Sequence, residues 1–238
     1  MKRFLWSGFP IALLVLAEGL YQALDVAPTE ATMGNIQRIF YYHFPSAMMA
    51  FLFFFLSFCA SVAYLFFRRQ HPFRANAADA LALASAEMGV VFCTVVLVTG
   101  PLWARPVWGI WWTWDERLTS TLMLWLIYVS YLLLRRFSAG TQVQTLAAVL
   151  AVFGFLDVPI VYMSTRWWRT QHPSPVIGGG ANSGLDPSMW PAVWWNLAGW
   201  CTWGVLLVTL RYRLERRRQQ QEQAEALRAL ESNLELTQ

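Results

Sequence analysis

Charge is scarce in this sequence. Only 13% of its 238 residues are charged, well below the roughly 25% expected of a soluble domain, and that scarcity excludes an ordinary water-soluble globule. Cysteine is scarce as well: Cys59, Cys93 and Cys201 each stand inside an apolar run with no CxxC pair. A disulfide framework and a cysteine metal cluster are therefore excluded, and the three read as small buried hydrophobes. There is no phosphate-binding glycine loop and no Ser, His, Asp order of a hydrolase. The net charge of +4 does not make a nucleic-acid surface, because the basic residues sit in short runs beside apolar segments.

What is present is apolar length. Hydrophobic residues make up 57% of the chain, in runs close to the roughly 20 residues a helix needs to cross a bilayer. The pattern predicts an all-α integral membrane protein of six transmembrane helices: Phe4 to Leu24, Phe44 to Phe67, Leu81 to Thr99, Leu118 to Leu134, Thr145 to Met163 and Ala192 to Leu210. The first run resembles a signal peptide in its basic start, but it carries Glu18 and Gln22 and lacks a small-residue cleavage site, so it is read as an uncleaved span. The fourth, at about 25 Å, is expected to sit upright or to start within the interface. Pro159 is expected to kink the fifth. Residues 1–212 form the membrane domain and 213–238 a polar tail, read as a solvated helix or frayed end.

Orientation follows from Lys and Arg. Lys2, Arg3, Arg68, Arg69, Arg74, Arg135, Arg136 and the cluster Arg211, Arg213, Arg216, Arg217, Arg218 fall on one side, against Arg38, Arg105, Arg117, Arg166 and Arg169 on the other. The first set faces the cytoplasm by the positive-inside rule, and both termini with it. The outward segments are then Asp25 to His43, Gly100 to Arg117 and Ser164 to Pro191. Within the spans, Glu18, Asp79, Glu87 and Asp157 are costly in lipid and are flagged as candidate functional groups.

Of the 14 tryptophans, five (Trp103, Trp108, Trp111, Trp112 and Trp114) fall in the twelve positions from Trp103 to Trp114. If the stretch after Pro106 is helical, Trp108, Trp111, Trp112 and Asp115 share one face and make an amphipathic aromatic shelf at headgroup depth. One or two such residues per helix end are an ordinary aromatic belt. This density, flanked by Arg105 and Arg117, suits a large, flat, apolar ligand bearing anionic groups, a description that porphyrin with its two propionates meets.

The segment Trp108-Gly-Ile-Trp111-Trp112-Thr-Trp114-Asp115-Glu-Arg117-Leu-Thr-Ser resembles the WWD signature (motif region 103–120) of the haem-handling proteins of cytochrome c biogenesis. Length, span number and the motif's place between spans three and four resemble the smallest branch, the heme exporter protein C (CcmC) family. The resemblance runs from the first span through the last and leaves out only the tail. It implies a bacterial inner-membrane protein with its functional face in the periplasm, non-covalently held b-type haem, and association with ABC transporter subunits (components A and B) and a small membrane subunit (component D). It also implies delivery of the haem to a membrane-anchored haem chaperone (component E), and action by binding and positioning rather than as a self-contained enzyme. The rival readings are a haem-conducting exporter, a cytochrome c haem lyase and a structural subunit with an aromatic anchor.

Two of the three histidines fall on the predicted outer face: His43 at the mouth of span two and His172 beyond span five. Neutral imidazole ligates haem iron well, although position alone equally allows an interfacial hydrogen-bonding role. The resemblance implies that His43 and His172 are the axial ligands, since the family carries one His just before span two and one in the last outer loop. His71, followed by Pro72 in a basic loop, reads as a solvated loop residue. Arg38, Arg105 and Arg117 are candidates to pair the propionates, with membrane anchoring as their alternative. Asp115 reads as a partner for an Arg, a backbone cap or a contact for another protein.

Overall fold

The computed structural model describes residues 2–138, 140, 142–177 and 184–236, with side chains described between 7 and 233. Lys2 and Arg3 in the charge asymmetry, residues 178–183 of the expected outer segment and the last two residues of the tail thus fall wholly or in their side chains outside the described residues. Nearly everything described is helical: α1 (Lys2–Tyr21), α2 (Phe40–Phe67), α3 (Pro72–Trp108), α4 (Glu116–Phe137), α5 (Val143–Phe155), α6 (Asp157–Trp167) and α7 (Trp190–Leu236). Six stretches are long and apolar enough to cross a membrane, α5 and α6 together making one.

Each boundary has a local cause. Pro72 supplies a ready-made first turn for α3, which therefore starts nine residues before the expected Leu81. Asp115 caps α4 by accepting the Leu118 N–H at 2.9 Å. α4 has 22 residues, about 33 Å of rise, so it crosses the core fully rather than falling short as expected. The fifth span breaks at Leu156. Pro159 lacks an N–H and crowds the carbonyl four residues back, at Phe155, so the ladder ends there. α7 continues without interruption through the expected boundary at 212/213 to Leu236.

Packing orders the spans. α2 and α3 form the most extensive pair, α1 lies on α7, and α2, α3, α4 and α5 close a ring. Its middle is filled by Phe54 and Tyr128, stacked at 4.0 Å, with the Tyr128 hydroxyl donating to the Ala151 carbonyl at 3.1 Å. Small residues admit this closeness, as membrane helix pairs require. A Cβ at Gly89 would overlap the Phe54 ring, which is fully buried and cannot retreat. Gly89→Leu is therefore expected to destabilise the protein by about 1–3 kcal/mol or more through overpacking, read as earlier loss of the monodisperse peak on heating in detergent. An unchanged midpoint would show that the helices separate freely. Asn196, buried in α7, donates to the Gly19 carbonyl of α1 at 2.9 Å and to the Ala192 carbonyl at 2.8 Å, so its amide is satisfied inside the bundle.

Two of the spanning acids that looked costly, Asp79 and Glu87, have partners at the end of the bundle where the termini lie. Arg135 grips Asp79 with two nitrogens, one at 3.0 Å, and Gln219 and Gln144 donate to the same carboxylate at 3.1 and 3.3 Å. Arg211 holds Glu87 through Nε at 2.6 Å and a terminal nitrogen at 2.7 Å, and Glu215 stands 3.9 Å from both arginines. Glu87 thus has a facing partner 124 positions away that the sequence alone does not show, and Arg135, counted on the cytoplasmic side, is held in an ion pair with 11% of its side chain exposed. Glu18 accepts from Gln22 at 2.8 Å. Oδ2 of Asp157 alone among these four acids is buried without a hydrogen-bond partner among the described residues.

Candidate functional site

At the opposite end the ring is hollow. A cavity of about 870 Å³ is walled by α2, α3, α4 and α6 and roofed by segments 28–33, 172–177 and 184–189, toward the upper end of the roughly 300–1,000 Å³ of small-molecule sites. His43 and His172, 129 positions apart in the chain, both line it.

His43 stands in the first turn of α2. Its Nδ1 lies 2.8 Å from the Thr99 hydroxyl of α3, and that hydroxyl spends its one proton on the Val95 carbonyl at 2.6 Å. With its proton so placed, Thr99 accepts, which favours the tautomer with the imidazole proton on Nδ1 and the lone pair on Nε2. His172 arrives at the same tautomer by another route. Its Nδ1 lies 2.8 Å from the Pro173 carbonyl, and a carbonyl accepts only. His172 keeps accessible surface where it borders the cavity, yet burial, helped by the Arg117 guanidinium, pushes its pKa down from the usual imidazole value to about 4. It is therefore neutral at physiological pH.

Asp115 joins the tryptophan segment to the His172 loop. One carboxylate oxygen caps α4, and the other accepts from the Thr113 hydroxyl at 3.2 Å and the Gln171 N–H at 3.3 Å. Of the tryptophans, Trp103, Trp108 and Trp112 line the cavity, Trp103 edge-on to His43 at 5.8 Å. Trp111 and Trp114, 56% and 76% exposed, lie outside it. The expected helical shelf is not formed. α3 ends at Trp108 because Gly109 adopts φ +79°, a left-handed conformation that suits glycine, and residues 109–115 run without helix.

The arginines divide in the same way. Arg38 donates to the Ala23 carbonyl and, at 3.2 Å, to Asn35, and Arg105 donates to the Gly109 carbonyl; neither lines the cavity. Arg117 does, while donating to the Val161 carbonyl at 3.2 Å. Residues the sequence did not single out complete the wall. Gln37 is 3% exposed with Oε1 unpartnered among the described residues, and the indole N–H groups of Trp103 and Trp112 are unpartnered in the same sense. No signal in the sequence marks Gln37 or Thr99, whose roles depend on how the helices are registered.

Haem fits this donor set on three counts. The wall is aromatic and aliphatic, the indole N–H groups of Trp103 and Trp112 in it have no partner among the described residues, and two imidazoles line it with their Nδ1 atoms engaged elsewhere. Among the described residues no three His, Cys, Asp or Glu side chains gather as a metal cluster. Two imidazoles are too few for a bare ion but complete the coordination of an iron already held by four pyrrole nitrogens.

Fold and site together define a polytopic membrane protein of six spans with a large ligand cavity at one end. The model of the heme exporter protein C family matches residues 1–227, and the chain belongs to that family. It is 38% identical over 177 residues to heme exporter protein C of Bradyrhizobium diazoefficiens, covering 74% of this chain and 64% of that protein. It is 32% identical over 203 residues to heme exporter protein C of Escherichia coli K12 (85% and 79%) and 30% identical over 207 residues to that of Haemophilus influenzae (86% and 81%).

Proposed function

We propose that this chain holds b-type haem, non-covalently, in the cavity between His43 and His172 at the periplasmic face of the bacterial inner membrane. From there it passes the haem to a membrane-anchored haem chaperone during c-type cytochrome biogenesis. One observation carries the reading: the two outward histidines meet in a single cavity with both Nδ1 atoms engaged, which leaves both Nε2 lone pairs for iron. Ligating histidines typically commit the other ring nitrogen in this way. Trp103, Trp108 and Trp112 pack on the macrocycle, and Arg117 answers a propionate. The Lys and Arg distribution supports an orientation with the cavity end outside and the ion-pair end inside. The names of the relatives support haem as the cargo, and the partnership with ABC transporter subunits (components A and B) and the small component D follows from the same kinship. Conduction of haem through the bundle finds no support, since Phe54, Tyr128 and Tyr131 fill the ring beneath the cavity.

The tryptophans supply the test. Trp103→Ala and Trp112→Ala are expected to lower the haem copurified per protein several-fold, by pyridine haemochrome assay, whereas Trp111→Ala and Trp114→Ala retain it. Equal losses in all four, or in none, would remove the cavity from the account.

A further inference from the structure

The break in the fifth span opens one side of the bundle. In the inner half the ring is closed: α2 packs on α3, α3 on α4, α4 on α5, and α5 returns to α2. There Phe155, the last residue of α5, rests on Phe55 and Phe58 of α2 at 5.6 and 4.6 Å. Past Leu156 the chain continues as α6, which packs chiefly on α4 and has no comparably extensive contact with α2. The outer half of the ring therefore lacks one seam. α7 packs on the α2–α3 side with α1 behind it, and neither packs extensively against α6.

Both lips of the gap line the cavity. On α2 they are Phe44, Met48 and Phe51, spaced so as to share a face with Phe55. On α6 the lip is Tyr162, whose hydroxyl is turned to the Ile177 carbonyl of the roof at 3.1 Å. Phe51 lies eight residues inward of His43, about 12 Å of helix rise, so the lower part of the gap stands at hydrocarbon depth.

We propose that the gap between α2 and α6 is a lateral port through which haem enters the cavity from the outer leaflet of the bilayer. The inference rests on the haem reading above and adds the route. Haem is a flat amphiphile, and in a leaflet its apolar edge points inward while its carboxylates stay with the headgroups, because charge is expensive at the bilayer centre and apolar surface is expensive in water. Sideways movement at constant depth preserves both conditions. Entry from above takes the apolar edge through water and past three roof segments, and entry from below meets the Phe54 and Tyr128 stack.

The port is tested by loading kinetics in lipid nanodiscs, with hemin supplied either in the same bilayer or bound to albumin in the aqueous phase, and with the low-spin spectrum as the readout. Met48→Trp narrows one lip and Met48→Ala widens it. Loading from the bilayer is expected to be faster than from albumin, to slow about tenfold in Met48→Trp, an added barrier of roughly 1.4 kcal/mol, and to quicken in Met48→Ala. Should Met48→Trp fail to fold, the Met48→Ala arm carries the test alone. Equal rates in parent and variants, or albumin-bound hemin loading as fast as bilayer hemin, overturn the port and leave the haem reading standing. A parent that gives no low-spin spectrum from either source overturns both.

Discussion

Replacing His43 or His172 by alanine is expected to convert a six-coordinate low-spin haem into a five-coordinate or lost one. On the proposed reading each ring would supply one axial bond, and no third imidazole lines the cavity to take its place. The two losses should differ in kind. His43 is fixed between helices α2 and α3 through Thr99, so removing it leaves a rigid vacancy that exogenous imidazole can fill, with partial return of the low-spin spectrum. His172 sits on a loop held by its own neighbour and by Asp115 through Gln171, and imidazole should restore it less well. The pH dependence has a definite sign. A pKa depressed to about 4 keeps His172 neutral, and so able to ligate, at physiological pH. Retention should therefore hold down to about pH 5 and fail as pH falls through about 4, rather than near the ordinary imidazole value of about 6.5. Loss centred near pH 6.5 would contradict the depressed pKa of His172, and alanine variants with the parent's spectrum would rule out bis-histidine ligation.

The largest stability effect is expected at the other end. Arg135 has 11% of its side chain exposed and Asp79 3%, and α3, α4, α5 and α7 meet at that carboxylate through Asp79, Arg135, Gln144 and Gln219. Arg135→Ala leaves a buried charge without its cation and should cost about 3–5 kcal/mol. The pair Asp79→Asn with Arg135→Gln, which removes both charges and keeps hydrogen-bonding groups, should cost clearly less than Arg135→Ala. Thermal unfolding in detergent measures both. A double variant as damaged as the single one would mean that shape, not charge pairing, holds this end together.

These two ends explain what the sequence could and could not disclose. The six spans are legible because lipid demands long apolar runs, and the break at Leu156 is legible through Pro159. His43 and His172 are legible as residues of one end of the bundle because each stands beside the end of an apolar run, and both line the cavity there. The pairing of Asp79 with Arg135 and of Glu87 with Arg211 is not legible: 56 and 124 positions separate the partners, and only helix packing brings them together. The same holds for Thr99, whose hydroxyl matters because α2 and α3 align it with His43. The tryptophan segment misled in one respect. Spacing suggested a continuous helical face, but Gly109 turns the backbone left-handed and so divides the motif, Trp108 and Trp112 going to the cavity and Trp111 and Trp114 outward.

The most direct test of the central claim is the optical and electron paramagnetic resonance spectrum of the ferric protein purified from haem-replete cells, followed by acid-acetone extraction. Bis-histidine ligation in the cavity predicts a six-coordinate low-spin signal and complete release of the haem as b-type. A high-spin signal, haem that resists extraction, or protein without haem would contradict it.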